Sequence, residues 1–174
     1  MIDQRDDEFT DFVAAHGAQL LRTACLVTGD SHLGEDLVQT ALAKAYGSWA
    51  KVQQADHPVA YVRRLMINAH LSWLRRLTNT ERPMERFPDA GAGDHQSAHA
   101  ETDEMRRALL TLSPRVRTAV VLRFFDDLSE ADTAALMGCS RSTVNNHVTR
   151  GLSALRALLS PAGDDLTTIA GSTR

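Results

Sequence analysis

The residues best suited to chemistry stand near the C-terminal end. Arg141, Ser142, Asn145, Asn146 and Thr149 recur at the steps that keep side chains on one helix face. Their chemistry is hydrogen-bonded recognition: Asn pairs bidentately with adenine, Arg with guanine, and Ser or Thr with bases or phosphates. Thr143, His147 and Arg150 complete the polar set. Catalysis would need convergent acid–base or metal groups, yet the histidines are scattered and the carboxylates fall in caps and turns. The sequence therefore offers no catalytic residue, no metal site, no cofactor and no enzyme. His95 and His99 have the spacing of a zinc-binding helix face, but no third ligand accompanies them.

The elements that must position this face follow from the surrounding pattern. Ser140 is a good N-cap for a long helix whose apolar stripe is Val144, Val148, Leu152, Leu155 and Leu159. Ser129, with Asp132 three residues on, caps a shorter helix carrying Ala134, Leu136 and Met137, and Gly138 stops it. Two helices joined at a glycine turn, the second presenting short polar donors, have helix-turn-helix geometry. The plainer alternative is a surface helix whose polar face meets only water.

At 174 residues the chain holds one ordinary domain or two small ones. Its 43% hydrophobic and 24% charged residues are normal for a globular protein. A formal charge of −3 excludes a generally sticky polycation, so any nucleic-acid surface must be local. Cys25 and Cys139 lack metal-ligand spacing and read as free or buried thiols. The start, MIDQRDDEFTDF, is the opposite of a secretory signal, and no apolar run reaches the roughly twenty residues of a membrane span. These features predict a cytoplasmic protein.

Earlier in the chain, Phe9, Phe12, Val13, Leu20, Leu21, Ala24 and Val27 predict a helix from Glu8 to Thr28, closed by Gly29. Asp30 or Ser31 caps a second helix, with Glu35 and Asp36 expected in its first turn. Its apolar side is Leu33, Leu37, Ala41, Ala45 and Trp49, widened by Val38, Leu42 and Tyr46. Lys51 to His57 is polar and aperiodic, and Pro58 restarts the chain. A third helix to Leu77 is expected to bury Val62, Leu65, Met66, Ala69 and Trp73 and to show Arg63, Arg64, Asn68, Ser72, Arg75 and Arg76. Residues 78–100 hold prolines and glycines with little apolar periodicity and read as a flexible linker. Glu101–Leu112 and Pro114–Phe125 read as helices ahead of the helix-turn-helix, the second burying Val116, Ala119, Val120 and Phe124. The fold class is all-α: a helical bundle over 1–77, the linker 78–100, a helix-turn-helix domain over 101–160, and a tail over 161–174.

With both halves in view, the chain resembles an extracytoplasmic-function sigma factor, an RNA polymerase specificity subunit, of the actinobacterial SigE-like group. GEDLVQTALAKAYGSW resembles the region-two helix that docks on the clamp helices of the polymerase's largest subunit, and YVRRLMINAHLSWLRR the helix that reads and melts the minus-ten element. LSPRVRTAVVLRFFDDLSEADTAALMGCSRSTVNNHVTRGLSALR resembles region four, which grips the minus-thirty-five duplex. The resemblance implies a role in promoter recognition and transcription initiation. Its implied partners are polymerase core (the beta′ clamp helices and beta flap), promoter DNA and an anti-sigma factor.

Residue by residue, the resemblance implies that Asp36, Gln39 and Ala43 meet the polymerase. It implies that the segment from Lys51 through Asp56 and His57 forms a pocket for one flipped non-template base, with Asn68 beside it. Extracting that base costs a few kcal/mol of stacking, which the pocket must return. Tyr61 supplies an aromatic face near the melted strand or sits at the edge of the core. Arg63, Arg64, Arg75 and Arg76 meet phosphates. Ser72 stands where many relatives have Asp, and Asn145, Asn146 and His147 where many carry Lys, Ser and Arg. Losing those cations leaves more of the discrimination to hydrogen bonds. A competing reading is a free-standing, dimeric helix-turn-helix regulator of the response-regulator kind.

Overall fold

Apolar residues at helical spacing produce eight helices, and no strand, among the residues that the computed structural model describes: 2–79 and 100–159, with the side chains of 2, 3, 79 and 100–103 excepted. The predicted linker, His95 and His99 lie mostly or wholly outside the described residues, as does the tail. No described helix is long and apolar enough to cross a membrane.

The N-terminal half is α1 (Ile2–Thr28), α2 (Ser31–Gly47), α3 (Trp49–Gln53) and α4 (Pro58–Asn79). Gly29, at φ 79°, turns the chain out of α1, and Asp30 caps α2 by accepting from the Leu33 amide at 2.8 Å. With α2 starting at Ser31, Glu35 and Asp36 lie beyond its first turn, which holds no acid. The core side of α2 is the widened stripe, Val38, Ala41, Leu42 and Ala45, while Leu33 stands exposed. Lys51–Gln53, read as aperiodic, is helical because Trp49 and Val52 anchor it. Trp49 packs edge-on against Phe9 and Phe12 of α1, ring centroids 5.2 and 5.4 Å apart.

The C-terminal half is α5 (Ala100–Leu110), α6 (Pro114–Phe124), α7 (Glu130–Met137) and α8 (Arg141–Leu159). Ser113 and Pro114 open α6 as expected, although the Ser113 side chain makes no capping bond. Phe124 is half out in solvent rather than buried, because α6 ends there and its core side is Val116, Ala119, Val120 and Val121. Gly151 lies buried against Val120 and Val116, so α8 crosses α6 closely.

Sequence pattern alone suggests two separate modules, but in the structure the halves are packed together. Helix α1 lies on α6 and α4 on α7, and the buried apolar residues run as one cluster from Phe12 to Leu155. A buried arginine, Arg117 of α6, joins them. Its Nε donates to the Val27 carbonyl and its Nη2 to the Thr28 carbonyl, both at 3.1 Å. Those carbonyls belong to the unsatisfied last turn of α1, which has no basic residue of its own. A cation at a helix C-terminus also complements the helix dipole.

Candidate nucleic-acid interface

The helix-turn-helix is built by three local devices. Ser129 caps α7, accepting from the Asp132 amide at 3.0 Å and donating to the Asp132 carboxylate at 2.6 Å. Gly138 ends α7 in the left-handed conformation at φ 62°. Ser140 caps α8 by accepting from the Thr143 amide at 3.1 Å, and its hydroxyl shares hydrogen bonds with Ser142 and Thr143. Val144 and Leu155 are buried, and Val148, Leu152 and Leu159 are half-buried. This leaves Arg141, Ser142, Asn145, Asn146, Thr149 and Arg150 exposed on one face. Thr143 and His147 are half-buried at its edge. His147 is held below the ordinary histidine range by burial and by the charges of Arg115 and Arg150, which favours its neutral form.

On α4 the site separates into two faces. Arg64, Asn68, Arg75 and Arg76 are exposed, with Tyr61 and Ser72 half-buried beside them. Ser72 is engaged by its neighbours: Arg75 Nη2 donates to its hydroxyl at 2.9 Å and Arg76 Nε to its carbonyl at 3.4 Å. Arg63, expected on this face, is not there. Consecutive helix residues are about 100° apart, and Arg63 shares the buried stripe of Ile67, His70 and Leu74. Its Nε lies 3.2 Å from the Asp126 carboxylate in the other half. Lys51, Asp56 and His57 are exposed ahead of α4.

Asp36, Gln39 and Ala43 are exposed along α2. Asp36 also lines a cleft of about 840 Å³ between α2 and α4, together with Asn68, Trp73, Arg75 and Arg76. Trp73, read from sequence as core, is half-buried in this cleft and stacks on His70 at 6.2 Å. A tryptophan five residues after Asn68 and three before Arg76 was the available signal. No group of three His, Cys, Asp or Glu that could hold a metal occurs among the described residues. Cys25 and Cys139 are free, half-buried thiols, both pushed up by burial.

Residues 12–80 match the model of sigma-70 region 2, and residues 102–155 that of sigma-70 region 4. The RNA polymerase sigma-E factor of Streptomyces avermitilis is 37% identical over 149 residues, 86% of this chain and 83% of that one. The ECF RNA polymerase sigma factor SigM of Mycobacterium tuberculosis is 29% identical over 152 residues, 87% of this chain and 76% of that one. The fold is similar to that of the sigma factor RpoE of Bartonella quintana, solved with the anti-sigma factor NepR: TM-score 0.68, 22% identity, 90% of this chain and 99% of that one. The chain belongs to the sigma-70 family of RNA polymerase sigma factors, in its extracytoplasmic-function branch.

Proposed function

We propose that this sigma factor divides its work between an N-terminal half that docks on polymerase core and opens the minus-ten element, and a C-terminal half that grips the minus-thirty-five duplex. The divisions are 1–77 and 101–160, with 78–100 as tether and 161–174 as tail. The observation that carries the reading is the exposed face of α8, with Arg141, Ser142, Asn145, Asn146, Thr149 and Arg150 clear of the packed core. Thr143 and His147 flank it.

In the N-terminal half, Arg64, Arg75 and Arg76 attract the strand's phosphates, and Asn68 with Lys51, Asp56, His57 and Tyr61 receives the flipped base. Ser72 orients Arg75 through their hydrogen bond. Arg63 is set apart from this group by its burial. Asp36, Gln39 and Ala43 meet the beta′ clamp helices, and the C-terminal half meets the beta flap. The chain supplies positioning and makes or breaks no bond, and it acts in the cytoplasm, where the polymerase is. An anti-sigma factor is the expected inhibitor, in keeping with the RpoE–NepR complex.

A free-standing regulator would dimerise to match a two-fold site, whereas a sigma factor joins polymerase as one copy. Gel filtration with purified core enzyme separates these. Co-migration at one chain per core is expected, and a dimer that ignores core would overturn the reading.

A further inference from the structure

We propose that the cleft between α2 and α4 binds a free mononucleotide, its base against Trp73 and His70 and its phosphate at Lys44, Arg75 and Arg76. The cleft lies wholly within the N-terminal half. Binding itself is independent of the sigma-factor reading, and only its consequence at promoters rests on that reading.

The interior of the cleft suits a flat ring. Leu33 and Leu37 of α2 and Leu65 and Ala69 of α4 line it with apolar surface. Trp73 lines it too, half-buried, and stacks on His70 with ring centroids 6.2 Å apart and planes 29° from parallel. An indole with part of its surface uncovered is a stacking platform, and every base has a π-face to lay on it. His70 adds a second observation. Its side chain is 2% exposed yet lines the cleft, and its Nε2 is buried with no hydrogen-bond partner among the described residues. Burial, aided by the Arg117 charge, pulls its pKa down to about 4, so the ring is neutral near pH 7. A neutral imidazole has one donor and one acceptor nitrogen. The edge of a base carries both kinds of partner and so satisfies Nε2 in either tautomer, removing the cost of a buried polar atom left unpaired.

Charge and size complete the match. Lys44, Arg75 and Arg76 face a single carboxylate, Asp36, around the cleft, in a chain whose formal net charge is −3. The cleft is therefore a local cationic spot. Its volume of about 840 Å³ falls within the roughly 300–1,000 Å³ of small-molecule sites. A sugar phosphate offers nothing to Trp73 and His70, and a simple aromatic acid offers no ring edge to Nε2. Ring, edge and phosphate together are nucleotide chemistry. Asp36 of the clamp-facing set and Asn68 of the strand-facing set share this lining, so a seated nucleotide covers residues that docking and strand capture need.

Calorimetric titration of the full chain with AMP, GMP, CMP and UMP tests the site. Saturable binding at one nucleotide per chain is expected, tighter for the purines because they stack over more area. Adenosine, ribose 5-phosphate and benzoate should each bind at least about tenfold more weakly than AMP. Trp73→Ala and His70→Leu should each weaken AMP about tenfold, whereas Arg22→Ala, an exposed cation on α1 outside the cleft, should change nothing. If Trp73→Ala loses helical circular dichroism, the exposed Lys44→Ala still serves; it should weaken AMP and flatten its salt dependence. Lys44→Ala should leave the affinity for single-stranded minus-ten DNA unchanged, which separates a free nucleotide from a base of the strand. With core polymerase, saturating AMP should slow open-complex formation on a promoter.

No saturable binding, ribose 5-phosphate or benzoate as tight as AMP, or cleft variants that bind like wild type would overturn the site. Equal loss of AMP and strand in Lys44→Ala would place the cleft on the strand's path and overturn it as well. An open-complex rate that ignores saturating AMP would overturn the consequence at promoters. Chain that binds AMP but starts no transcript with core sinks the sigma-factor reading and leaves the site standing. Transcribing chain that binds no nucleotide sinks only the site.

Discussion

Asn145 and Asn146 stand exposed at consecutive positions of α8, each with an amide able to give and take a hydrogen bond from a base edge. If one of them reads an adenine, replacing it with Ala should cost about 1–3 kcal/mol at one base pair of the minus-thirty-five element. Binding to a panel of single-pair promoter variants checks this, and a uniform loss across the panel would instead indicate a phosphate contact. His70 yields a second prediction. Burial, aided by the Arg117 charge, pulls its pKa down to about 4, so the fold accepts the neutral ring. Between pH 6.5 and about 4 the unfolded chain binds a proton that the folded chain refuses, and stability falls as pH drops through that window. The full loss is about 3 kcal/mol. Asp126 acts in the opposite sense, since burial pushes its carboxyl up against the pull of Thr23 and Arg63, and its protonation favours the fold as pH falls. Denaturant melts of wild type and His70→Leu isolate the histidine: only the wild type should show its share of the slope. Residue identities were legible in sequence and azimuths only partly so. Arg63 beside Arg64 looks like one basic patch, yet Ile67 and Leu74 at four and eleven residues on mark the stripe that buries it.

Among the elements, α7 and α8 were the most legible, because Ser129, Gly138 and Ser140 act through backbone geometry that the sequence states directly. Helix α3 was hidden because only Trp49 and Val52 anchor it, too few for a period. The crossing of α1 and α2 was hidden too, since Gly34 reads as an ordinary weak spot in a helix. A Cβ there would come within 2.8 Å of the Cys25 amide nitrogen and 2.9 Å of its Cα. Backbone cannot yield as a side-chain tip can. Gly34→Ala should therefore destabilise by about 1–3 kcal/mol through overpacking, despite the roughly 0.8–1 kcal/mol of helix propensity that alanine offers. A thermal melt decides it, and a raised midpoint would show that α2 can shift freely on α1.

At the scale of the whole molecule, the two halves were legible as helical units but their packing was not. Arg117 looks like one more surface arginine of an amphipathic helix, and its partners are carbonyls about ninety residues away that carry no side-chain signature. Only the assembled fold shows α1 capped from the other half. The central claim is that this one chain directs polymerase core to promoters through both halves at once. Run-off transcription with purified core over genomic DNA, followed by start-site mapping, tests it most directly. The account predicts discrete starts whose upstream sequences share two elements at fixed spacing, with Asn68→Ala impairing strand opening and changes on the α8 face impairing upstream binding. Core enzyme that starts no transcript with this chain, or starts sharing no upstream elements, would contradict it.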